Sequence, residues 1–170
     1  AGVTNGAFYA HFESKEDLFS KIVGPTVSGM QNLYCAANES YMNIKSKKDV
    51  KTSLEKTFSS NEILIDYIFE NSEIFKLILT AGFGTEYENF VDDLAKEEAA
   101  NTMEFLERCR PYYNYTDKIS EGLITQISHF TVSSVFEGIK GVKTKEEVVS
   151  DTKLASEFCL AGLKHFLDIK

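Results

Sequence analysis

Residues 1–12, Ala-Gly-Val-Thr-Asn-Gly-Ala-Phe-Tyr-Ala-His-Phe, and the Glu-Ser-Lys-Glu-Asp-Leu-Phe at 13–19 constrain this chain more than any other stretch. Gly2 sits where a tight turn between helices needs a small or left-handed residue, and Thr4 is placed to cap the helix that follows. Asn5 to Phe12 reads as a short helix combining small residues (Gly6, Ala7, Ala10) with aromatics (Phe8, Tyr9, Phe12). Ser14 then caps a second helix, with Asp17 in the acidic place of a capping box and Glu16 in the positive first turn. Any two-helix corner carries such caps. The small, aromatic and capping residues in this order are far more specific.

The whole string resembles the recognition helix and following connector helix of the tetracycline-repressor (TetR) family of bacterial transcription regulators. The resemblance rests on residues from about Ala1 to Val23, and the remainder corresponds by architecture alone. It implies that Thr4, Asn5 and Ala7 face base edges in a major groove, Asn5 being able to pair with adenine. It also implies that Tyr9 and His11 are the family's phosphate-contacting aromatic and imidazole, and Lys15 its backbone-gripping lysine beside a helix N-terminus. Phe8 and Phe12 are then core residues of the small domain. The family's DNA-binding domain begins with two further helices that this chain does not carry. An intact member needs roughly 30 to 40 more N-terminal residues, and the chain alone is expected to bind operator DNA negligibly.

The rest of the 170 residues is 43% hydrophobic, enough for a sizeable core in one or two domains. Two prolines among long apolar-periodic stretches predict an all-α chain: a helix-turn-helix remnant joined by a connector helix to a ligand-binding and dimerisation bundle. The expected boundary separates 1–23, DNA-binding, from 24–170, effector-binding and dimerising. A net charge of −8 is the wrong sign for a body that binds nucleic acid over its whole surface. Cys35, Cys109 and Cys159 are odd in number and far apart, so neither a disulfide framework nor a zinc site is supported, and no cofactor is expected. Reduced thiols, no signal peptide and no apolar run of about 18 residues predict a cytoplasmic protein without a membrane span.

Periodicity divides the body into five or six further helices. The connector helix is predicted from Ser14 to about Ala37, interrupted by a kink at Gly24-Pro25. Next come an amphipathic helix over Asp49–Ser60 and a separate, all-round apolar stretch at Ile63–Phe69, expected at the centre of the bundle. A helix from Asn71 or Ser72 ends at Gly82-Phe83-Gly84, and a long one spans Glu86–Arg108. Two final helices cover Asp117–Gly141 and Lys145 to about Asp168. Their faces mix small and bulky residues: Ile127, Thr131, Ser134 and Gly138 on the first, Ala155, Cys159, Gly162 and Phe166 on the second. The last helix is apolar on its other face too, at Phe158, Leu163 and Leu167. Two apolar faces call for two partners, so these eight residues are expected in the seam of a two-fold homodimer. Burial within one subunit is the alternative.

No catalytic constellation stands out. Asp92, Asp93, Glu97 and Glu98 read as a solvated charge run, and Gly82-Phe83-Gly84-Thr85 lacks the pattern of a phosphate loop. His129 lies mid-helix, where it serves either as a structural hydrogen-bonding group or to orient a small molecule in an apolar cavity. The family resemblance implies a cavity between the connector helix and the later helices. Its candidate walls are Tyr67, Phe75, Ile78, Phe83, Tyr87, Phe90, Met103 and His129. The expected function is therefore a regulator, a repressor by preference and not an enzyme, whose binding to double-stranded operator DNA is controlled by a small-molecule effector. The alternatives are a dimerisation or partner-binding module that senses no ligand, and a small helical enzyme using His129.

Overall fold

A computed structural model describes residues 11–113, 119–141, 143–167 and 169. These form an all-α bundle of six helices and no strand among the described residues: α1 Lys15–Tyr41, α2 Lys47–Glu70, α3 Ser72–Ala81, α4 Phe90–Cys109, α5 Glu121–Lys140 and α6 Lys145–Phe166. Hydroxyl caps start four of them. The Ser14, Ser46 and Ser120 side chains accept from the backbone N–H three residues on, and Thr144 with Glu147 closes a reciprocal capping box.

Three elements depart from the sequence expectation. α1 runs through Gly24-Pro25 as one helix and continues to Tyr41, because Val23, Val27 and Met30 bury one stripe on both sides of the proline. Packing of that stripe outweighs the single backbone donor that Pro25 lacks. The two segments foreseen over 49–60 and 63–69 are one helix, α2, with no Gly or Pro between them to stop it. It is not buried all round: Ile65 and Ile68 face inward while Ile63 is 58% exposed. α4 starts at Phe90, later than Glu86, after turns in which the Thr85 hydroxyl donates to the Gly82 carbonyl and accepts from the Tyr87 N–H.

The interior has two cores. One gathers Val23, Val27 and Met30 of α1, Ile68, Phe75 and Ile78 of α2 and α3, and Phe90, Phe136 and Ile139 of α4 and α5. Within it the rings of Phe75, Phe90 and Phe136 lie 5.6–6.1 Å apart, the Phe90–Phe136 pair edge-on at 82°. The second core joins Val50 and Leu54 of α2 to Phe105, Leu106 and Cys109 of α4, Ile124 of α5, and Leu167. α5 threads both cores, packing along α4 and against α6.

Candidate functional site

Two regions carry the chemistry anticipated from sequence. The first is the segment leading into α1. Thr4, Asn5, Ala7 and Tyr9 lie outside the described residues. His11 and Lys15 are both exposed, one before the first turn of α1 and one within it. The junction between them is tied down: the Asp17 N–H donates to Ser14 Oγ at 3.1 Å, and the Glu13 N–H donates to Asp17 Oδ2 at 3.0 Å. Lys21 Nζ donates to the same carboxylate at 2.8 Å and stands 5.3 Å over the Phe12 ring. The Lys21 hydrogen bond, with help from the Glu13 N–H, holds the Asp17 carboxyl below the usual range. Capping therefore ties residues 13 and 14 to the first turn of α1.

The second region is a cavity of about 500 Å3 lying between the two cores. Met30, Ile68 and Phe136 of the first core and Leu54 and Ile124 of the second form parts of its wall. Five helices contribute: α1 through Met30, Tyr34 and Ala37, α2 through Leu64 and Ile65, α4 through Leu94, Glu98 and Thr102, and α5 and α6 along much of their length. Small residues make the room. Thr131, Ala155 and Gly162 line the space, and a side chain begun at Gly162 would meet nothing within 4 Å. Exposed Leu123, Phe158 and Ala161 belong to the same wall, so the cavity reaches the surface between α5 and α6.

The wall is mostly apolar and carries two groups of polar side chains. The Tyr34 hydroxyl donates to Glu98 Oε2 at 2.5 Å and accepts from Asn101 Nδ2 at 2.8 Å. Burial pushes the Glu98 carboxyl above the usual carboxylate range, against the opposing effect of the Tyr34 hydrogen bond. The Tyr34 phenol is pushed up as well, first by burial and then by the neighbouring Glu98 charge. Across the space, Asn61 Nδ2 lies 3.4 Å from Ser156 Oγ. The Thr152 hydroxyl, in the same wall, is buried without a hydrogen-bond partner among the described residues. Burial also pushes the Cys109 thiol up to about 12 and raises that of Cys159, which keeps both protonated and poor nucleophiles near neutrality.

None of the eight residues proposed for a ligand site lines this cavity. Phe75, Ile78 and Phe90 are spent in the first core, and Met103 packs on the second. The Tyr67 hydroxyl donates to the Thr26 carbonyl at 3.0 Å. The Tyr87 ring is tilted against Phe19 with centroids 5.9 Å apart, and Phe83 is 87% exposed. His129 Nε2 lies 2.9 Å from Asp92 Oδ1, both side chains more than half exposed. The structure thus gathers Tyr67, Phe75, Ile78, Tyr87 and Phe90 at the first core, away from the cavity wall, and leaves Phe83, Met103 and His129 apart from them.

Six of the eight residues proposed for a dimer seam, Ile127, Thr131, Ala155, Cys159, Gly162 and Phe166, line the cavity. Of the other two, Ser134 bonds back to the Thr131 carbonyl at 2.8 Å, and Gly138 is buried within the subunit. Val148 Cγ2 lies 2.3 Å from where a Cβ on Gly138 would stand.

The residues that sequence reasoning missed are Tyr34, Glu98 and Asn101. A signal existed for Glu98: Leu94 and Ala95 stand four and three residues before it and Thr102 four after, which puts the acid beside uncharged side chains on one helix face and not in a solvated run. Among the described residues no group of histidines, cysteines and acids could hold a metal ion, and no helix is long and apolar enough to cross a membrane.

Comparison with known proteins agrees with the first region. Residues 1–22 match the family model described as bacterial regulatory proteins, tetR family. No curated protein and no solved structure matches the chain.

Proposed function

We propose that this chain, whose first 22 residues match the tetR family model, is a ligand-responsive regulator of transcription, acting as a homodimer in the cytoplasm. The family's members bind DNA and are regulators rather than enzymes. In this reading residues 1–23 form the end of the DNA-reading domain, with Thr4, Asn5 and Ala7 at base edges and Tyr9, His11 and Lys15 at phosphates. Residues 24–170 form the sensing and dimerising body, and the effector occupies the cavity between its cores. Exposed Phe130, Leu154 and Phe158 on α5 and α6 offer the apolar surface for a second copy.

One observation carries the proposal. Met30 and Tyr34 belong to α1, the helix that grows directly out of the matched segment, and they form part of the cavity wall. A ligand there presses on the same rigid element that positions the DNA-reading end, so DNA and ligand can favour different placements of it. Repression follows when the ligand-free placement is the one that fits DNA.

The test is a distance measurement. Fluorophores carried by non-natural residues at Lys21 on α1 and Lys140 on α5 report the position of α1 against the bundle. A ligand found by thermal-shift screening should change that distance by about 1–2 Å at saturation, the scale of helix shifts in allosteric proteins. A saturated cavity with an unchanged distance would reject the coupling.

A further inference from the structure

Glu98 is the one charged side chain in the wall of the cavity among the described residues. The rest of the surface is aliphatic, aromatic, thiol, hydroxyl or amide. Among the described residues no lysine, arginine or histidine pairs with this carboxylate, and Tyr34 is the single group that donates to it. Asn101 donates to the Tyr34 oxygen and not to Glu98. A carboxylate accepts several hydrogen bonds, so Glu98 retains unused acceptor positions inside a largely apolar space. Such a group is costly unless a donor or a countercharge meets it.

Building on the effector reading above, we infer that the cavity takes an amphipathic amine, whose apolar body lies between the two cores and whose protonated nitrogen hydrogen-bonds Glu98 beside Tyr34. The apolar part meets Ile68, Leu94 and Val135, with the room over Gly162 left for bulk. The nitrogen supplies what the wall lacks, a cationic donor. Burial already pushes the Glu98 carboxyl upward, and an arriving cation reverses that by favouring the ionised form. An anion would meet repulsion at the same place. A neutral alcohol or carbonyl would fill the space without giving the carboxylate a countercharge. The net charge of −8 acts in the same direction at longer range, raising the local concentration of cations around the chain.

The inference is tested with a matched series: 4-phenylbutylamine, 4-phenylbutanol and 4-phenylbutyrate, titrated calorimetrically into the full 170-residue chain. The amine should bind at least about tenfold more tightly than either analogue, as expected for a hydrogen bond to a charged group. Glu98→Gln should weaken the amine at least about tenfold and move the alcohol by less than about twofold. Gly162→Leu, which fills open space, should weaken all three. Equal affinity for amine and alcohol in the parent, or an amine affinity untouched by Glu98→Gln, overturns the amine assignment and leaves the cavity as a ligand site. Failure of all three to bind, or binding indifferent to Gly162→Leu, removes the cavity reading and the amine with it. The parent comparison decides the matter even where a variant does not fold.

Discussion

Tyr67 on α2 is seated against Gly29 on α1: its hydroxyl donates to the Thr26 carbonyl at 3.0 Å and lies 2.2 Å from where a Cβ on Gly29 would stand. The hydroxyl caps a carbonyl of α1 from outside because nothing projects from Gly29 to keep it away. Gly29→Ala should therefore destabilise the fold by on the order of 1–3 kcal/mol, the usual cost of overpacking, despite the better helix propensity of alanine. Tyr67→Phe should recover part of that loss, making the pair less than additive in urea unfolding. Additive effects would show that the two residues do not meet.

Gly138 and Gly162 should respond in opposite ways to the same substitution. Gly138→Ala places a methyl group onto Val148, whose Cγ2 is 2.3 Å from the site, and should lower stability. Val148→Ala in the same chain should relieve it. Gly162→Ala meets nothing within 4 Å and should be neutral or stabilising by up to about 1 kcal/mol through helix propensity. Thermal melts of the two single variants are enough to check this.

The Glu98 carboxyl makes a signed prediction about pH. Its value in the fold is raised above that of the unfolded chain. The stability it contributes is therefore complete below the ordinary carboxylate range and is lost as pH rises through the raised value. Glu98→Gln should make the ligand-free protein more stable than the parent at about pH 7, with the two converging as pH falls towards about 4. The lowered Asp17 and Asp49 carboxyls act in the opposite sense, but equally in both proteins, and cancel from the difference. A variant less stable than the parent at neutral pH would contradict this.

Phe158 on α6 is 77% exposed. If a second copy covers it, Phe158→Lys should convert a dimer to a monomer in sedimentation velocity at micromolar concentration. It should leave the helical content of the chain unchanged. A parent chain that sediments as a monomer would remove the dimer from the proposal.

Helix existence was legible in the sequence where a cap and a clear stripe coincided, as at Ser14 with Leu18, Phe19 and Val23. Continuity was harder to read. The polar Ser59-Ser60-Asn61-Glu62 looks like a break, yet no residue in it forbids helix, so α2 runs on. Gly24-Pro25 stands inside α1 without ending it, since flanking burial outweighs one missing donor. The cavity was not legible from spacing. Periodicity says which residues turn inward but not whether anything fills the space they face: Phe75 turns inward to a core, Thr131 and Gly162 to a void. Glu98 was hidden for a related reason, because an acid among acids looks solvated until its helix neighbours are placed.

The unbroken course of α1 has a mechanical consequence. From Tyr34 at the cavity back to Lys15 at its start, nineteen positions at helical rise make a lever of roughly 28 Å. Rocked by about 5° at the cavity end, a rod of that length sweeps its far tip through roughly 2.5 Å, comparable to a hydrogen-bond length. Such a swing also moves Val23, eleven positions from Tyr34 and fully buried, by roughly 1.4 Å, so the first core travels with the helix when its start makes or breaks a contact.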